Sequence, residues 1–165
     1  MKKTLISSFV LVVALMAASQ TAFAQVETDK GIQVEKDLLL LRKDLRAEKK
    51  KIIAMNMPLT EAEATKFWPA YDAYAEDMRK HYDEFYTVIK DYAANQKTLT
   101  DAQAISMIKR WSEIQVEVAQ TRLKHIPLIE KVIPGKKAAL FFQIDRRLYA
   151  LMDLQTASEV PLVIQ

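Results

Sequence analysis

Beyond residue 60, the apolar positions fall into two long helical rhythms. In the first, Phe67, Tyr71, Tyr74, Met78, His81, Phe85, Val88 and Tyr92 follow alternating steps of four and three, and Trp68, Ala75, Tyr82 and Ile89 widen the stripe. In the second, Met107, Trp111, Ile114, Val118, Thr121, His125, Leu128 and Val132 keep the same spacing. A period near 3.5 residues held this long is the signature of helices packed along a common seam. It predicts helices over about 60–94 and 100–132, each about 50 Å long at ~1.5 Å per residue.

Both stretches open on the same kind of phrase, Leu59-Thr60-Glu61-Ala62-Glu63 and Leu99-Thr100-Asp101-Ala102-Gln103. Each reads as a capping box. The threonine accepts from the backbone N–H three residues on, and Glu63 or Gln103 reaches back to the N-cap N–H, satisfying donors that a helix start leaves orphaned. The polar turn Asn95-Gln96-Lys97-Thr98 between the stretches predicts an antiparallel hairpin. Pro69 and Pro127 lie inside the two helices, and interior proline bends a helix. An antiparallel pairing about residue 97 sets them near one level, so the hairpin is expected to bow there.

Two further helices flank the hairpin. Thr28 or Asp29 caps a first helix reaching about Ala54, with Leu38, Leu41, Leu45, Ile52 and Met55 on one side. Its other side carries Arg42, Lys43, Arg46, Lys49 and Lys50, read as a solvated face because Asp37, Asp44 and Glu48 are interspersed. Met55-Asn56-Met57-Pro58 ends that helix, since the residue before proline disfavours the α region. After the breaker Ile133-Pro134-Gly135, a fourth helix is predicted over about 136–157, with Phe141, Ile144, Leu148, Leu151 and Leu154 or Gln155 facing inward. The apolar tail Val160-Pro161-Leu162-Val163-Ile164 follows; such a tail docks in a groove or marks a contact site. The fold class is therefore all-α, four helices around a long bowed hairpin.

The extreme N-terminus has a different pattern. Lys2 and Lys3, the apolar run Phe9 to Ala18 and the small-x-small site Ala22-Phe23-Ala24 form a three-part secretory signal. The run is about half of the ~20 residues that span a bilayer. The expectation is cleavage after Ala24, an exported periplasmic chain, and one helical domain over 25–165. Removing residues 1–24 takes away two lysines and no acid, so 24 basic and 21 acidic residues become 22 and 21, a formal +1. A charge so near zero gives no case for nucleic-acid binding. Half of the 165 residues are hydrophobic and only two are glycine, which favours long uninterrupted helices. With no cysteine, no disulfide, thiolate nucleophile or Cys-ligated metal exists.

Catalytic chemistry finds little to work with. His81 and His125 are the only histidines, and the hairpin separates them by about 12 Å along its axis. They read as seam residues with satisfied nitrogens, Asp77 one turn before His81 serving to orient it. The Glu-x-x-His spacing of di-metal bundles is missing, as are a Gly-rich phosphate loop and a nucleophile elbow. Met55 and Met57 carry soft sulfur of the kind that binds Cu(I), but a pair without a third soft ligand reads as packing. No enzyme, metal site or cofactor is expected. What remains is surface, with Arg79, Lys80, Lys109, Arg110, Arg122, Lys124, Arg146 and Arg147 as candidate client-binding cations beside apolar patches.

The phrase Leu99-Thr100-Asp101-Ala102-Gln103 matches the LTxxQ motif of the Spy/CpxP group of exported bacterial stress proteins. Leu59-Thr60-Glu61-Ala62-Glu63 is similar to its first copy, with Glu for Gln, forty residues earlier. The chain resembles that family over roughly 30–155. The resemblance implies a curved all-α homodimer in the periplasm. It also implies either an ATP-independent chaperone that binds unfolded or stress-damaged envelope proteins, or an adaptor that restrains an envelope-stress sensor kinase in the membrane. The family has a metal-responsive branch, whose His-rich segments this chain lacks.

Overall fold

The computed structural model describes residues 48–160. The expected signal peptide, the expected start of the first helix with Arg42, Lys43 and Arg46, and the apolar tail beyond Val160 lie outside the described residues. Within them the chain is all-α, with four helices and no strand. Helix α1 is described over 48–56, and α2 spans Glu61–Asn95, α3 Asp101–Glu130 and α4 Gly135–Glu159. Helices α2 and α3 run unbroken through Pro69 and Pro127.

The threonines set two of these starts. Thr60 is extended and accepts from the Glu63 N–H at 3.3 Å, while the Thr60 N–H donates to Glu63 Oε2 at 2.8 Å. Thr100 and Gln103 repeat the arrangement at 3.3 and 2.9 Å. Both capping boxes are complete. The turn between α2 and α3 closes on Asn95, whose carbonyl accepts from the Thr98 N–H at 2.8 Å and from its hydroxyl at 3.2 Å.

Helix α2 buries Phe67, Tyr71, Tyr74, Met78, Phe85, Ile89 and Tyr92, close to the stripe read from the sequence. Side chains that meet across α2 and α3 pair Phe85 with Trp111, His81 with Thr121 and Asp77 with His125. As one number falls the other rises, the ordering of neighbours that run in opposite directions. On α3 the seam departs from expectation near its end. Leu128 is 42% exposed and Val132 half-buried, whereas Ile129 and Ile133 are buried. From His125 onward the stride is four and then four again, through Ile129 to Ile133. At 3.6 residues per turn a strict 3.5 repeat drifts around the helix, and the sequence shifts its apolar positions to follow.

Helix α4 corrects the inward set more sharply. It buries Ala138, Phe141, Asp145 and Tyr149, leaves Ile144 and Leu148 half-buried, and exposes Leu151 and Leu154. Rings join it to α2. Phe141 meets Phe67 at 5.3 Å, Tyr71 at 5.9 Å and Tyr74 at 5.6 Å, each near edge-on, and Tyr149 stacks on Tyr82 at 4.3 Å. Each such pair adds about 0.5–1.5 kcal/mol beyond the area it buries. Helix α1 is corrected too. Lys49, Ile53 and Met57 are buried while Ile52 is half-buried and Met55 exposed, so part of the supposedly solvated basic face turns into the core. The reason is the acid waiting there.

Candidate functional site

Asp145 is fully buried, and the three other helices each send it a polar side chain. Lys49 of α1 brings Nζ to 2.6 Å from Oδ1, the Tyr74 hydroxyl of α2 donates to Oδ2 at 2.6 Å, and Arg122 Nε of α3 lies 3.7 Å from Oδ2. Lys49 Nζ also sits 3.7 Å from the Tyr149 ring centroid, within cation–π range. The Lys49 contact is an ion pair whose angle falls outside hydrogen-bond geometry, and Lys49 Nζ, Asp145 Oδ1 and Arg122 Nε have no hydrogen-bond partner. One buried carboxylate thus ties four helices together through two ion pairs and a hydrogen bond.

The surroundings bend the acid–base chemistry of its neighbours. Burial lowers the Lys49 pKa, opposed by attraction to Asp145. Burial and the adjacent Asp145 charge push the Tyr74 and Tyr149 phenols above their ordinary pKa. Burial works against the Arg122 charge, but Tyr74 and Asp145 outweigh it and hold its pKa above the ordinary value. Asp153, half-buried, is raised by desolvation against the opposing pull of the Arg122 charge. Nothing in the cluster combines an accessible nucleophile with a base, so its chemistry is that of a fastener. Sequence reading missed it, because a lone Asp among leucines and a Lys in a basic run look like solvent-facing charges. A stride of four through Phe141, Asp145 and Tyr149 was the available signal.

The α2–α3 seam carries a second polar set. Asp77, which the sequence pairs with His81, instead accepts from His125 Nε2 at 3.0 Å and from Lys124 Nζ at 3.0 Å across the seam. A position four residues from His81 lies on its own helix, but the shorter reach is to the partner helix. His81 in turn shares a 2.8 Å hydrogen bond with Thr121 Oγ1 and lies 3.3 Å from Glu117. The hydrogen bonds from His125 and Lys124 hold the Asp77 carboxyl well below the usual carboxylate range. Each histidine is occupied by the opposite helix. Among the described residues no group of three or more His, Asp or Glu side chains is placed to hold a metal ion, and Met55 and Met57 lie in different settings, one exposed and one buried.

The capping residues do more than start helices. Glu63 Oε2, already bonded to Thr60, also receives Lys137 Nζ of α4 at 2.6 Å. That bond, with Thr60's, lowers the Glu63 pKa. Leu59 and Leu99 are half-buried beside the caps.

The eight candidate surface cations do not form one patch. Arg79 is held by Glu76 and Asp83, Lys80 by Asp77, Lys109 by Glu113, and Arg110 by Glu84 and Glu117. Lys124 is taken by Asp77, and Arg122 turns into the buried cluster. Arg146 and Arg147 are exposed and make no ion pair with a described residue. A feature the sequence reading overlooked lies on α3 instead. Ile105, Ile108, Val116, Leu123 and Ile126 are all exposed and follow helical steps on one side, with Ser112 and Ala119 between them. The stripe is about 30 Å long at ~1.5 Å per residue. Helix α3 is apolar on two faces, and only one is covered.

No protein-family model, curated protein or solved structure matches the chain. The likeness to the Spy/CpxP group therefore rests on the two threonine motifs and their helical setting. No described helix is long and apolar enough to cross a membrane.

Proposed function

We propose that this is an exported, periplasmic chaperone-like protein that holds unfolded or stress-damaged clients on its helical surface without ATP. The supporting observation is the uncovered stripe Ile105, Ile108, Val116, Leu123 and Ile126. A contiguous apolar strip on a charged surface is the kind of feature that marks a protein-contact site. Beside it on the helix, Ser112, Gln115, Ala119 and Gln120 are small or uncharged, and Lys109 at its edge is paired with Glu113. Such a lining suits many apolar segments and selects none by charge. The two capping boxes, as features shared with the stress-protein motif, agree with that assignment.

The test is suppression of aggregation of an unrelated denatured protein at near-stoichiometric ratio, followed by light scattering. Suppression is expected, and Val116→Glu with Leu123→Glu should abolish it while circular dichroism stays unchanged, since both side chains are exposed. No suppression at several-fold excess overturns the reading. Capture of one dominant membrane sensor kinase without any general holding effect would replace it with the adaptor role.

A further inference from the structure

Several described cations on and just before α4 have no ion-pair partner among the described residues. Lys136, Leu140, Gln143, Arg147, Leu151 and Leu154 are exposed and follow steps of four and three, so they share one line along the helix. Arg146 flanks that line, and Lys131 precedes it just before the helix. None of these four cations makes an ion pair with a described residue, in contrast to Arg79, Arg110, Lys124 and Lys137. The described exposed side chains of α4 include no acid, its aspartates Asp145 and Asp153 being buried or half-buried.

We infer that this face docks on an anionic lipid surface. Unpaired cations interleaved with exposed leucines are what an interfacial helix presents: the ammonium and guanidinium heads meet phosphate while the apolar side chains enter the headgroup boundary. Long Lys and Arg stems reach outward past the leucines, so both contacts form from one line of residues. The choice of lipid over an acidic protein follows from spacing. The charges extend over ~16 Å of helix from Lys136 to Arg147, with Arg146 displaced to one side, and the leucines carry the line on to ~27 Å at Leu154. A folded partner would need acids at those irregular intervals, whereas mobile headgroups rearrange to meet them. The proposal concerns α4 alone and stands independently of client binding on α3.

Co-sedimentation of the purified protein with phosphatidylglycerol vesicles, against phosphatidylcholine vesicles, tests it. Binding to the anionic vesicles alone, weakened by salt, is expected. Each surface cation contributes roughly fivefold to such binding, so Arg146→Gln with Arg147→Gln should weaken it more than tenfold. Lys51→Gln, an exposed cation on α1 paired with Glu48, should leave it unchanged. Leu151→Ser with Leu154→Ser should weaken it at every ionic strength. Absence of binding at low salt, or equal binding by the double arginine variant, overturns the proposal. So does tighter, arginine-dependent binding of poly-glutamate than of vesicles, which would assign the face to an acidic polypeptide.

Discussion

Replacing Asp145 by Asn tests the fastener most directly. The amide nearly matches the carboxylate in shape and can still accept from Tyr74, so the change removes charge rather than volume. Arg122 is partly exposed and has Asp153 to turn to, but Lys49 is left buried with no counter-charge. Breaking a buried pair in this way costs about 3–5 kcal/mol. A ceiling follows from proton release: taking an ordinary lysine from its pKa near 10.4 to neutral at pH 7 costs about 1.36 kcal/mol per unit, or ~4.6 kcal/mol. The expected loss at pH 7 is therefore about 3–4.5 kcal/mol, read by urea unfolding, with a fall in Tm of roughly 10 °C or more.

The pH dependence supplies an independent check. A lysine whose folded pKa is depressed binds fewer protons folded than unfolded, so stability rises with pH until the ordinary lysine pKa is reached. The deficit of Asp145→Asn should thus shrink to about 1 kcal/mol by pH 9.5. Replacing both partners, Lys49→Met with Asp145→Leu, should recover most of the loss, because an apolar pair leaves no stranded charge. A deficit below about 1 kcal/mol at pH 7, or one that does not change between pH 7 and 9.5, would refute the account.

Other consequences are simpler to state. Ile129→Ala should cost about 2–5 kcal/mol and Leu128→Ala less than about 0.5 kcal/mol in the same unfolding assay, since one is fully buried and the other exposed. Thr100→Ala should lower stability by about 1 kcal/mol and speed amide exchange in the first turn of α3. Asp77 has a depressed pKa, so its contribution is complete above the ordinary carboxylate pKa and fades as pH falls below about 4. Asp77→Asn should therefore cost roughly 1–2 kcal/mol at neutral pH and flatten the acid limb of the stability curve, which melts at pH 7 and pH 3 would show.

The sequence was most readable where local chemistry decides the outcome. A threonine followed three residues on by Glu63 or Gln103 determines a helix start by itself, and both starts lie one residue from the expected bounds. The α2 stripe was legible because its aromatic positions are apolar in any context. Periodicity failed where a charge enters the core. Lys49 and Asp145 make sense only as a pair 96 positions apart, and each taken singly reads as a solvated residue. The slip from Leu128 to Ile129 was hidden for another reason: both are large and apolar, and only the drift of the helix chooses between them. The uncovered stripe on α3 was present in the spacing of Ile105, Ile108, Val116, Leu123 and Ile126, but the stronger seam on the opposite side of the helix masked it.

A rod with two oily sides has two ways to lie down. Rotated half a turn about its axis, α3 would offer Val116 and Leu123 to α2 and turn Ile114 and Val118 to water. The rungs between Asp77 and His125, His81 and Thr121, and Arg110 and Glu84 exist in only one of those settings. Modest as each rung is in strength, together they act as the key that chooses the rotation, and so determine which strip the molecule keeps for itself and which it shows to others.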